Sequence, residues 1–220
     1  MKQILIAVAL VMVCLVPGVS RATTVIFSDN FDGENGGTAD FLSYGGFANW
    51  TVSNGTVDLI GVGGNFDLIP SNGLYVDMDG SSNDAGIMLS KALTLTGGVP
   101  YDFTFNLAGS QRNNDNDFKG EIDLNNNGGV DFTTGLLSVP SSQLFIPLTF
   151  SFTPAGLGDY TDARIRFFQV QPSGVPGDNV GVLLDKVALT TEANVPEPAS
   201  LILLGAGLAG IGIWRRKVAR

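Results

Sequence analysis

The chain has 220 residues, with 12 Lys or Arg against 21 Asp or Glu, no histidine and one cysteine. A net charge of −9 argues against nucleic acid and anionic lipid as partners. Without histidine there is no Ser-His-Asp or Cys-His nucleophile system, and no zinc site built from His and Cys.

Residues 1–22 read as a secretory signal peptide. Lys2 supplies the positive start, residues 4–16 an apolar run, and Pro17-Gly18 a break. Ser20 and Ala22 are the small residues before a cut at Thr23. An uncleaved anchor is the alternative. Cys14 lies in the apolar run, so the mature chain would hold neither thiol nor disulfide. Residues 23–194 are then one domain, long enough for a real core. That stretch carries twenty acidic and six basic residues, a net charge near −14. Such a surplus attracts divalent cations, although solubility outside the cell accounts for most of it.

Within 23–194 the pattern is all β. Apolar residues alternate, Gly- and Asn-rich turns recur, and no long 3.6-residue period appears. Strands over 48–53 and 56–61 are expected to form a hairpin across Asn54-Gly55. A short strand follows over 73–78. Residues 88–96 are expected to pair with 101–108 across Gly97-Gly98, with Phe103, Phe105 and Leu107 on one face. Residues 118–124 and 130–133 flank the turn from Asn125 to Gly129. Leu144, Ile146, Leu148, Phe150 and Phe152 share a face, and Pro147 marks an exposed or edge backbone position. Residues 163–170 turn Ile165 and Phe167 inward and Arg164 and Arg166 outward. Residues 180–190 close the domain. About nine short strands without a fixed-period repeat predict a β-sandwich.

Four stretches in this order resemble the galactose-binding-like jelly rolls common in exported carbohydrate-binding modules. They are Asp29-Asn30-Phe31-Asp32, residues 72–77, residues 101–109 and residues 181–189. The resemblance implies a jelly-roll sandwich, one structural calcium near the paired terminal strands, and a ligand site in loops at one end. It also brings Asp29 and Asp32 near Asp185. Strict alternation puts Asp185 on the face of Leu183, Val187 and Leu189, where an unpaired carboxylate is costly. Asp185 therefore needs a cation, an ion pair, hydrogen-bond donors or a bulge that turns it outward. Asp29, Asp32 and Asp185 are the candidate calcium ligands, and calcium takes six to eight oxygens.

Other polar stretches carry weaker signals. Asp123-x-Asn125-x-Asn127-Gly128 imitates the start of an EF-hand loop. Thr134 stands where a bidentate Glu is wanted, so a hairpin turn is favoured. For sugar binding, Trp50 is the one Trp of the domain. Tyr75, Arg112 and Asn113 are its candidate companions, with Tyr44, Phe47 and Asn114 able to join them. Packing of Trp50 between sheets is the competing reading. A glycosidase needs two carboxylates about 5–9 Å apart. The Glu residues of the domain, Glu34, Glu121 and Glu192, sit in no recognisable catalytic strand, and no enzymatic activity is expected.

Residues 195–220 form the last segment. Pro196 and Pro198 fix φ and favour an extended chain around Glu197, a form that a processing enzyme can thread into a groove. Residues 199–214 are uncharged and as a helix cover about 24 Å, slightly short of a ~30 Å hydrocarbon core. The basic residues Arg215, Arg216, Lys217 and Arg220 would stay on the cytoplasmic side. Gly205-x-Gly207-x-x-Gly210 spells a dinucleotide fingerprint, but no strand precedes it and no acidic residue follows.

Pro-Glu-Pro, a short hydrophobic helix and a basic end resemble the PEP-CTERM sorting signal. That signal belongs to exported proteins of Gram-negative bacteria that make extracellular polysaccharide and biofilm matrix. The resemblance implies handling by an exosortase, a membrane transpeptidase-like protease, at Pro196, Glu197 and Pro198. Arg215, Arg216 and Lys217 correspond to the basic end. A permanent anchor without processing is the alternative. The expectation is an exported, surface-sorted, non-catalytic sandwich, structural or adhesive within an extracellular matrix, or else a surface-presented carbohydrate-binding module. Its expected partners are the export machinery, an exosortase and extracellular polysaccharide.

Overall fold

A computed structural model describes residues 19–82, 84–170 and 178–196, together with Gly205, Gly207 and Leu208, and the side chains of 22–82, 84–170 and 178–192. Thr24–Thr191 form one compact unit, and the residues on either side belong to a separate one. The strands are β1 (Val19–Asp29), β2 (Trp50–Ser53), β3 (Asp58–Gly61), β4 (Leu74–Asp77), β5 (Ile87–Ser90), β6 (Leu93–Thr96) and β7 (Tyr101–Ala108). They continue with β8 (Asn116–Asp123), β9 (Phe132–Thr133), β10 (Leu137–Val139), β11 (Ile146–Phe152), β12 (Asp159–Val170) and β13 (Leu183–Pro196). One 3-10 helix spans Glu34–Gly37.

The strands make two antiparallel sheets, as the alternation predicts. One runs β11-β7-β13-β4-β3, with β1 added against β13. The other runs β10-β8-β12-β5-β2, with β6 against β12 and β9 against β8. Phe103, Phe105 and Leu107 of β7 face Phe118 of β8 and Ile165 and Phe167 of β12 across the interior, and all six are buried. Phe167 is the hub. Its ring centroid lies 5.1 Å from Phe105, 5.5 Å from Phe103 and Phe118, and 5.6 Å from Trp50. Arg164 and Arg166 point outward, and Arg166 pairs with Glu121 on the neighbouring strand.

Two expected hairpins do not form. Residues 50–53 pair with β5 in one sheet, while β3 pairs with β4 in the other. Asn54-Gly55 is thus a crossing between layers, although both residues adopt the positive φ expected of them, 52° and 134°. The crossing packs against residues 84 and 85: Thr56 N–H donates to Asp84 O at 3.0 Å, and the carbonyls of Asp84 and Ala85 leave no room for a Cβ at Gly55. Likewise β6 pairs with β12, and β7 with β11 and β13, so Gly97-Gly98 also joins two sheets. In both cases the local turn chemistry is right, and the apolar faces of the two strands are buried from opposite sides of the core.

Other expectations hold. β8 and β9 pair across the 124–131 turn. Asp123 organises that turn by accepting backbone N–H bonds from Asn125, Asn127 and Gly128 at 3.1, 3.2 and 2.7 Å. β11 is an edge strand, which suits Pro147. Leu148, Phe150 and Phe152 pack half-buried on the core, whereas Leu144 and Ile146, expected on the same face, are exposed.

Candidate functional site

Strand β13 breaks step beside buried Asp185. Its register against β7 shifts between Asp185 and Ala188, and Lys186 takes a left-handed φ of 50°. This is a β-bulge, one extra residue that resets which side chains face inward. Leu184, Val187 and Leu189 reach the main core, while Leu183 joins a small second cluster with Ile60, Tyr75 and Ala108. Asp185 therefore does not share the inner face with Val187 and Leu189, and the alternation expectation is corrected at that point. Asp185 is nonetheless fully buried. Burial pushes its carboxyl up to about 6, against the opposing pull of the Asn72 amide, the Lys186 N–H and the Lys186 ammonium, with Asp32 adding to the rise.

Each of the three residues read as calcium ligands has hydrogen-bond donors of its own. Asp29 accepts from Phe31 N–H (2.9 Å), Trp50 Nε1 (2.9 Å) and the Asn49 amide (3.1 Å). Asp32 accepts from Leu74 N–H (2.9 Å) and the Asn30 amide (2.7 Å). Asp185 accepts from Asn72 Nδ2 (2.9 Å) and Lys186 N–H (2.7 Å), with Lys186 Nζ 3.8 Å away. Every carboxylate oxygen of the three thus accepts an N–H bond. Among the described residues no group of three or more Asp, Glu, Cys or His is placed to hold a metal ion. Calcium takes six to eight oxygens turned to one centre, backbone carbonyls among them.

The expected sugar platform is likewise corrected. Trp50 and Tyr75 are both buried, so neither ring face is open to a ligand. Trp50 packs edge-on to Phe27 at 5.3 Å and anchors Asp29, which is the competing reading of that residue. Tyr75 lies under residues 68 and 69 in the second cluster, its hydroxyl accepting from Ile69 N–H at 2.9 Å. Burial pushes that hydroxyl up to about 12. Asn113 is exposed. Arg112 is half-buried and acts as a clamp: it pairs with Asp77 and donates to the carbonyls of Asn179 (2.8 Å) and Ser110 (3.3 Å). Burial pushes Asp77 up to about 7 despite Arg112 and the Asp79 N–H, and Asp58, its cross-strand partner, adds to the rise.

A groove of about 710 Å³ opens beside the bulge. Ser28, Asp29, Asn30, Glu34, Asn49 and Lys186 line it. Its wall therefore mixes hydroxyl, amide, carboxylate and ammonium groups. Glu34 is held by Ala48 N–H at 3.0 Å, and burial raises its carboxyl above the ordinary range. Lys186 reaches this groove only because the bulge turns it there, and alternation along the sequence carries no sign of that.

Residues 194–217 match the model of the PEP-CTERM protein-sorting motif. The chain carries an exosortase-type sorting motif. In this PEP-CTERM segment β13 runs extended to Pro196, as the prolines require. The expected membrane helix over 199–214 lies outside the described residues except for Gly205, Gly207 and Leu208, which are helical. No helix among the described residues is long and apolar enough to cross a membrane. Glu197, Pro198, Arg215, Arg216 and Lys217 also lie outside the described residues, as do residues 1–18 of the expected signal peptide.

No curated protein sequence matches this chain. Several solved structures are similar to it. One holds the CBM22-1 and GH10 modules of Clostridium thermocellum endo-1,4-beta-D-xylanase 10B with xylohexaose, at 12% identity and TM-score 0.48. The match covers 76% of this chain and 28% of that one. The CBM22-1 xylan-binding domain of Paenibacillus barcinonensis Xyn10C matches at 11% identity and TM-score 0.42, over 80% of this chain and 99% of that one. The K2 cleaved adhesin domain of Lys-gingipain matches at 15% identity and TM-score 0.48, over 77% and 99%. None of these likenesses transfers a ligand to this chain.

Proposed function

We propose that this is an exported, non-catalytic sandwich protein that an exosortase-type membrane protease delivers to the cell surface or extracellular matrix. The observation that carries the reading is the position of the motif. Residues 194–217 belong to the unit separate from Thr24–Thr191, and the motif's first residues continue strand β13 to Pro196. The expected signal peptide supplies export, and the basic residues after the apolar run hold the C-terminus on the cytoplasmic side until cleavage. Structural or adhesive work in the matrix follows from the destination and from a surface rich in Asp. The test is intact mass of the protein from surface and medium fractions of its own host. The native chain loses its tail near Pro196-Glu197-Pro198, and Pro196→Ala with Glu197→Ala retains it through Arg220. Normal tail loss in the double variant sinks the sorting reading.

A second reading is a surface-presented carbohydrate-binding module. The groove beside the bulge favours it, because alternating donors and acceptors from Ser28, Asn30, Asn49 and Lys186 suit a polyhydroxylated ligand. Titration with soluble neutral oligosaccharides tests it. Lys186→Gly keeps the left-handed backbone and is expected to weaken binding at least threefold. Unchanged affinity in that variant removes the groove from the reading.

A further inference from the structure

We propose that Asn54 is a site of spontaneous deamidation, and that the isoaspartate formed there loosens the crossing between the two sheets. The chain holds four Asn-Gly pairs: Asn35-Gly36, Asn54-Gly55, Asn72-Gly73 and Asn127-Gly128. Glycine has no side chain to shield its own N–H. In such a pair the glycine nitrogen therefore reaches the carboxamide before it most readily.

The fold ties down three of the four. The Asn127 carboxamide accepts from Gly129 N–H at 2.8 Å, and the Gly128 N–H is engaged by Asp123 at 2.7 Å. Asn72 is half-buried and donates to Asp185 at 2.9 Å, while Gly73 sits against the Asp32 carboxylate. Asn35 donates its carboxamide to Thr38 O at 3.1 Å. Asn54 differs from all of them. It is exposed, and among the described residues neither its side chain nor the Gly55 N–H makes a hydrogen bond.

The chemistry needs only water and hydroxide. Gly55 N gives its proton to hydroxide and attacks Asn54 Cγ. The new C–N bond closes a succinimide as the Cγ–Nδ2 bond breaks, and Nδ2 leaves as ammonia with a proton from water. Water then opens the ring. Opening at Cγ gives aspartate with the backbone unchanged. Opening at the backbone carbonyl carbon gives isoaspartate, whose chain runs through Cβ and Cγ and is longer by a methylene.

That methylene enters a crossing with no slack. The carbonyls of Asp84 and Ala85 already fill the space beside Gly55. Thr56, the next residue, is held by three backbone bonds: its N–H donates to Asp84 O at 3.0 Å, and its carbonyl accepts from Gly80 and Gly86 at 2.9 and 2.8 Å. Thr56 Oγ1 bonds Ser82 Oγ at 2.7 Å, and Val57 after it is fully buried. A longer chain at 54–55 pushes Gly55 and Thr56 out of these bonds. Aspartate at 54 leaves them in place.

The test is incubation of the protein, freshly purified from its host's surface, at mildly alkaline pH. Peptide mapping that separates aspartate from isoaspartate follows each Asn-Gly pair. Asn54 is expected to convert at least tenfold faster than Asn72 and Asn127, and faster than Asn35. In denaturant, where the fold no longer protects any pair, the four convert within about threefold of one another. The folded sample loses about 2–4 °C of melting temperature as isoaspartate accumulates. Asn54→Gln, which would have to close a larger ring, keeps its melting temperature through the same incubation. Asn54→Asp melts like the native protein, which assigns the loss to isoaspartate rather than to the added charge. Equal conversion of the four pairs in the folded protein, or faster conversion at another pair, overturns the site. Conversion at Asn54 with an unchanged melting temperature overturns the loosening of the crossing.

Discussion

Phe167→Ala lowers the melting temperature of the sandwich by on the order of 10 °C, and Phe168→Ala by less than about a third of that. The two rings are adjacent in β12 and face opposite ways. Phe167 has no exposed surface and touches Trp50, Phe103, Phe105 and Phe118, rings that come from both sheets. Truncating such a ring costs about 3–5 kcal/mol, because the surrounding side chains collapse only partly into the space. At this domain size each kcal/mol is worth about 2–4 °C. Phe168 is half-buried on the outer face, opposite Lys119 and Ile87. A thermal scan of both variants checks the contrast, and equal losses would contradict the facing of β12.

Raising the pH from 5 to 8 lowers the melting temperature by about 5–10 °C, and Asp77→Asn removes most of that slope. The carboxyl of Asp77 sits at about 7 in the fold against an ordinary 3.8, and burial is the main cause. A group raised on folding stabilises the native state while it is protonated. That contribution is complete below about pH 4 and is lost as pH climbs through 7. Each pKa step corresponds to ~1.4 kcal/mol, so Asp77 alone gives a change of about 2–3 kcal/mol between pH 5 and 8. Asp185, held at about 6, acts in the same direction over a window roughly one step lower. Asparagine at 77 imitates the protonated side chain, and Arg112 keeps its bonds to the Asn179 and Ser110 carbonyls. Thermal scans across pH 4–8 decide it: a melting temperature that rises toward pH 8 would mean that the pairing with Arg112 outweighs burial.

The strands were legible because their signal is local. Alternation along 101–108 and 163–170 places Phe103, Phe105, Ile165 and Phe167 correctly, since residue identity alone shows which side of a strand must leave water. Pairing was not legible at Asn54-Gly55 or Gly97-Gly98. A two-residue turn is equally compatible with a hairpin and with a crossing between layers, and the choice lies with strands distant in sequence. The candidate site was harder still. Trp50 and Tyr75 look like ligand-stacking rings by residue type, yet one bonds Asp29 and the other lies under a loop.

From the sequence alone come the all-β class, the edge position of Pro147, the inward side of β12 and the sorting signal over 195–220. Each depends on a short stretch whose chemistry is complete in itself: a period of two, a missing N–H, or an ordered Pro-Glu-Pro and apolar run. Only the tertiary structure decided the layer in which each strand lies, the bulge at Lys186 that turns Asp185 off the core face, and the engagement of Asp29, Asp32 and Asp185 by N–H donors. These depend on partners as far apart as residues 72 and 185. Burial, bond satisfaction and exposure are properties of that packing, and no single stretch of the chain carries them.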